Sequence, residues 1–145
     1  MIQTKHLKAG AVGIILGGAV GLFAAGAFFG AYREAYVYAP RERAVEDAMR
    51  ALSEREQAAL KTSGKFVPFG SAAIDRSPTF LGLPWANYPT EDYLFDAEIL
   101  PSGNLRMRAM PRPERITALA LRPRIYAAEL TPDGTLVRPG WSPSS

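Results

Sequence analysis

"YLFDAEILPSGNLRMRA", residues 93–109, decides the fold. Tyr93, Phe95, Ala97 and Ile99 alternate with Asp96 and Glu98, and Leu105, Met107 and Ala109 alternate with Arg106 and Arg108. A period of two puts one set of side chains on a buried face and the other toward water, the pattern of a half-buried strand. Between the two runs, Pro101, Ser102 and Gly103 suit a three-residue loop, a type I turn followed by a left-handed glycine. Leu100 then faces Asn104, which sets Ile99 opposite Leu105, Ala97 opposite Met107 and Phe95 opposite Ala109. The same register sets Glu98 opposite Arg106 and Asp96 opposite Arg108. A slip of one residue would oppose apolar to charged side chains at every rung. Each charged pair contributes at most about 1 kcal/mol, so the pattern fixes register more than stability.

The chain repeats this chemistry. "AELTPDGTL", residues 128–136, echoes "AEILPSGNL", residues 97–105. Its strands are expected over 125–131 and 135–138, with 116–121 a further strand or a short helix. Residues 92–138 thus read as a small antiparallel sheet of hairpins, and 139–145 as a patternless surface tail. Arg106, Arg108, Arg112, Arg115, Arg122 and Arg124 follow an acidic stretch of Glu91, Asp92, Asp96 and Glu98. Paired strand faces account for them, and a basic rim touching lipid headgroups or an acidic partner is the sharper reading. The net charge of +3 is too small to argue for nucleic acid, and none is expected as a partner.

Upstream of the sheet, residues 33–64 read as an amphipathic helix. Val45, Ala48, Met49, Leu52, Ala59 and Leu60 recur at helical spacing, Pro40 suits a first turn, and Gly64 suits a stop. Ser53 followed by Glu56 matches a capping box, which allows a kink or restart there. Residues 65–91 carry Pro68, Pro78, Pro84 and Pro89 and read as irregular. Phe80, Trp85 and Tyr88 in this loop, with Trp141 in the tail, are candidate partner-binding aromatics. Their alternative use is as a lid over the domain's own core.

Before the helix lies "GIILGGAVGLFAAGAFFGAY", residues 13–32, with no ionisable group before Tyr32. The apolar run from residue 9 to 32 spans roughly 36 Å as a helix, against a hydrocarbon layer of ~30 Å. It is longer than a secretion-signal core, so it reads as a retained single-pass transmembrane helix after a basic flank, residues 1–8. Lys5 and Lys8 on one side and Tyr32, Tyr36 and Tyr38 on the other suit the two membrane interfaces. The flank favours a single pass through a bacterial inner membrane, with the amino terminus in the cytoplasm and the carboxy-terminal domain in the periplasm. Gly13, Gly17 and Gly21 recur every four residues, and Gly26 and Gly30 repeat the interval. Small residues at that spacing bare one helix face for a neighbouring helix, so other integral membrane subunits and the bilayer are the expected partners.

A membrane helix leading into an amphipathic helix, an irregular loop and an antiparallel sheet resembles type IV pilins and pseudopilins. "EREQAALKTSGKFVPFG", residues 54–70, is similar to the pilin helix end, and "FDAEILPSGNLRMRAMP", residues 95–111, with the later "AELTPDGTL", to the pilin sheet. The resemblance implies an α+β fold and a place in a filament or secretion assembly. Pilins carry a leader glycine before phenylalanine or methionine and a glutamate soon after it. Here Gly10 precedes Ala11, and Glu34 is the first acid, so the processing site and assembly glutamate are absent.

Chemistry is sparse. The chain has no cysteine and a single histidine, which leaves no thiolate site and no typical zinc site, and that histidine, His6, lies in the membrane flank, where it is expected to face headgroups rather than serve a catalytic triad. No enzyme activity, metal or cofactor is expected. The expected function is that of a non-catalytic accessory subunit of a respiratory or photosynthetic membrane complex. A pilin-type subunit and a membrane-anchored ligand- or peptide-binding module are the alternatives.

Overall fold

The computed structural model describes residues 20–119 and 121–144. The chain divides into two compact units, residues 1–39 and 40–145. In the first, residues 20–33 are α-helical and Glu34–Tyr38 form one π-helical turn, closed by the Ala39 N–H donating to the Glu34 carbonyl. No helix among the described residues is long and apolar enough to cross a membrane. Residues 9–19 of the expected span lie outside the described residues.

The second unit is α+β: a long helix, α1 (Ala39–Ser63), whose first residue falls at the unit boundary, and a four-stranded antiparallel sheet in the order β1-β2-β3-β4. The strands are β1 (Tyr93–Ile99), β2 (Leu105–Pro111), β3 (Arg124–Leu130) and β4 (Leu136–Pro143). The β1–β2 register matches the hydrophobic alternation, with Ile99 on Leu105, Ala97 on Met107, Glu98 on Arg106 and Asp96 on Arg108. Arg108 grips Asp96 with two parallel bonds of 2.9 Å, and Arg106 pairs with Glu98. The basic residues expected as a rim are largely neutralised within the domain. Arg112 reaches Asp75, Arg115 reaches Glu91 and Asp92, and Arg124 reaches Glu42.

The core lies between α1 and one face of the sheet. Val45, Ala48, Met49 and Leu52 come from the helix, and Phe95, Leu105, Met107, Ala109, Ala128 and Leu130 from the strands. Each large aliphatic side chain so placed contributes roughly 1.5–3 kcal/mol relative to exposure. Gly64 ends α1 as expected, in the left-handed conformation with φ 74°, its N–H donating to the Leu60 carbonyl.

Three local expectations are corrected. The capping box does not form, and α1 runs through without a restart. Ser53 Oγ donates to the Arg50 carbonyl, and Glu56 is drawn inward to another partner, because both lie on the buried stripe. Residues 139–143, expected as a patternless tail, belong to the second half of β4, in which Gly140–Pro143 pair with Arg124–Ala127. The alternation failed to announce this strand because a register shift at Ala127/Glu129, with Arg138 at φ 50°, breaks its period. Within 65–91, α2 (Ser71–Arg76) and two short 3-10 turns, Phe80–Gly82 and Trp85–Asn87, replace an irregular chain. Residues 116–119 belong to a short helix, α3 (Pro113–Leu119).

Candidate functional site

Two regions carry the residues singled out for binding, and they behave differently. In the first unit, a methyl added at Gly21, Gly26 or Gly30 would meet nothing within 4 Å among the described residues. Around them the helix presents Val20, Leu22, Phe23, Phe28 and Phe29 outward, with Phe23 82% exposed and Phe28 74% exposed. Tyr32 and Tyr36 are exposed and lie against each other, ring centroids 4.9 Å apart, as residues four apart on a helix do. Half-buried Tyr38 lies under the Arg33 guanidinium at 5.2 Å. Gly13, Gly17, Lys5 and Lys8 lie outside the described residues.

The aromatic loop behaves oppositely. Trp85 is 1% exposed, and its indole N–H donates to the Phe80 carbonyl at 3.0 Å. Its ring meets Phe95, Tyr88 and Phe69 at centroid distances of 5.5, 5.8 and 6.3 Å. Phe80 and Tyr88 are partly buried against the same cluster. These rings form a lid on the domain's own core, and Trp85 has no face left for a partner. Trp141 is likewise engaged: it stacks edge-on with Tyr126 and Tyr93, lies under Arg124, and donates its indole N–H to Glu46 at 2.9 Å. That bond ties β4 to α1. Burial, reinforced by the nearby Glu42 and Asp92 carboxylates, pushes the Tyr93 hydroxyl up to about 12.

Two helix residues, one read from the sequence only as a capping-box partner and the other not singled out, fix the far end of the domain. Glu56 is 0% exposed, and its Oε2 accepts the Val67 N–H at 2.8 Å while Oε1 has no hydrogen-bond partner among the described residues. Burial pushes its carboxyl from 4.5 to about 7, against the opposing pull of the Val67 amide. Gln57 Nε2 donates to the Gly134 carbonyl at 2.7 Å and so holds the β3–β4 turn on α1. The signal for Glu56 was its place on the apolar stripe, four residues after Leu52, where a charged side chain needs a partner. Beyond these residues an open groove of about 370 Å³ is lined by Leu60, Gly64, Lys65, Phe66, Ile99 and Pro132, together with Gly103.

Among the described residues, no group of three or more His, Asp or Glu side chains is placed to hold a metal ion. No protein-family model, no curated protein and no solved structure matches the chain.

Proposed function

We propose that this chain is a non-catalytic, single-pass accessory subunit of a larger bacterial membrane complex, of respiratory or photosynthetic type. Its glycine-rich helix packs against a neighbouring subunit's helix, and its α+β domain lies on the periplasmic side. One observation carries the reading: a helix bearing Phe23, Phe28 and Phe29 outward, with open space at Gly21, Gly26 and Gly30. Large apolar side chains around a helix are stable only when lipid or protein covers them, and a bare glycine face favours protein on one side. The sequence ahead of it, apolar from residue 9, supplies the remaining length of a span.

Purification from native membranes in mild detergent tests the proposal. A stoichiometric complex with other integral membrane proteins is the expected result, and Gly21→Leu should release this chain from it while the α+β domain stays folded. A homopolymer with a trimmed amino terminus would instead support the pilin-type alternative. Unchanged co-purification of Gly21→Leu at raised detergent would remove the role of the glycine face. The ligand-binding alternative loses its main support with the burial of Trp85.

A further inference from the structure

We propose that the turn-bearing end of the 40–145 unit docks an extended acidic segment of a partner protein, added as a strand at the free end of β1. The argument starts from backbone direction. Leu100 donates toward β2, to the Asn104 carbonyl at 2.8 Å, so the alternate residue Ile99 points its N–H and C=O to the outer edge. Ala97 points the same way and is satisfied there, exchanging two bonds of 2.9 Å with Phe69. Continuing that antiparallel pairing would set Val67 opposite Ile99. Glu56 prevents it by taking the Val67 N–H. Among the described residues Ile99 therefore has no backbone bond on its outer side. A sheet edge ending in an unmatched residue is a template for another strand.

The surroundings choose the occupant. Ile99 is 48% exposed on the core-facing side of β1 and forms one wall of the groove with Leu60, Phe66 and Pro132. That groove suits a single aliphatic anchor beside the added backbone. Lys65 lines the groove, and Lys61 lines an adjoining pocket that shares Leu60 and Pro132 with it; both are exposed, they are the only lysines among the described residues, and neither makes an ion pair there. Asp133, beside Lys61, is the facing acid, and its carboxylate is held by the Thr131 hydroxyl and by the Thr135 N–H at 3.0 Å. Two unmatched lysines next to an apolar groove and an unmatched strand edge favour glutamate- or aspartate-bearing chain. The proposal uses only residues of the 40–145 unit and needs no membrane.

The test uses the full chain and two short synthetic peptides of alternating valine and threonine, one flanked by glutamates and one by lysines. The glutamate-flanked peptide should bind in fluorescence anisotropy and slow hydrogen exchange at the Ile99 amide. Reversing charge with Lys61→Glu and Lys65→Glu should weaken it by roughly tenfold or more and admit the lysine-flanked peptide instead. Ile99→Pro removes the edge donor without removing a β1–β2 bond and should abolish binding, while Ile99→Val retains it. Should the proline variant fail to fold, the charge reversal and the exchange measurement decide alone. Equal binding of both peptides, or unchanged Ile99 exchange with peptide bound, would overturn the proposal. So would Ile99 protection by phosphatidylglycerol vesicles and not by peptide, which assigns the groove to a lipid surface.

Discussion

Residues 20–38 and residues 40–145 use the same side-chain types in opposite ways. In the first, Phe23, Phe28 and Phe29 are exposed and glycines have open space beside them. In the second, Trp85, Phe95 and Leu105 are buried, and Gly64, Gly103 and Gly134 adopt positive φ in turns and at the helix end. A glycine or a phenylalanine therefore carries no fixed meaning. What it does depends on whether the covering surface belongs to the same chain. The α+β unit supplies its own cover, and on the function proposed above the leading helix takes its cover from lipid and a neighbouring subunit.

The sharpest way to break that contrast is to truncate one ring in each region. Trp85→Ala should lower the stability of the α+β unit by roughly 3–5 kcal/mol in urea unfolding, since it removes the centre of a packed aromatic cluster. Phe23→Ala should leave the same transition in place. Equal losses would mean that the leading helix is covered by this chain after all.

A second probe reaches Glu56, the one fully buried acid among the described residues. The Glu56 carboxyl titrates near 4.5 when unfolded and about 7 when folded, so between those values the folded state binds more protons. Stability from this group is therefore fully present below pH 4.5 and is lost as pH rises through about 7. The loss is of order 3 kcal/mol at pH 8. Glu56→Gln keeps an acceptor for the Val67 N–H and removes the titration. Relative to wild type, it should gain stability steadily from pH 5 to 8, by roughly that amount at the upper end. A wild-type-minus-variant difference that is flat with pH would show that Glu56 reaches water.

How much of this was legible follows from periodicity. The hairpin of residues 93–109 was readable rung by rung because apolar and charged residues alternate without interruption and Gly103 ends the turn. The second half of β4 was not, because Pro139-Gly140 and the shift at Ala127/Glu129 erase the alternation that marks a strand. Trp141 was visible as a large ring in a featureless tail, but its bond to Glu46 joins residues far apart in sequence, which no local pattern encodes. The same holds for Glu56, whose partner Val67 lies beyond the helix end. Trp85 shows the limit of reading aromatics: a proline-rich loop of rings looks alike whether it closes a core or opens to a ligand. The groove at Ile99 was hidden for a related reason, since it exists only where a side chain interrupts backbone pairing.

Glycines sharpen the contrast further. At Gly134, with φ 95°, an added methyl would fall against the Gln57 amide, 3.1 Å from its Cδ. Gly134→Ala should therefore cost about 1–3 kcal/mol by combining a strained backbone with displacement of the Gln57 bond. Gln57→Ala in the same background separates the two causes. If the backbone alone is responsible, removing the amide recovers nothing.

Gly26→Ala is the smallest expected effect and the counterpart of Gly134→Ala. The added methyl meets nothing within 4 Å among the described residues, and alanine favours a helix over glycine by up to about 1 kcal/mol in water. The isolated chain should thus show no loss of stability in its α+β unit and at most a slight gain in helicity by circular dichroism. Any loss must then come from outside the chain. Measured in membranes with its neighbours present, the same methyl should lower co-purification if a helix approaches that face, and change nothing if lipid does. On the proposed function the substitution is mute in one setting and informative in the other, because it alters a surface that a neighbouring subunit would cover.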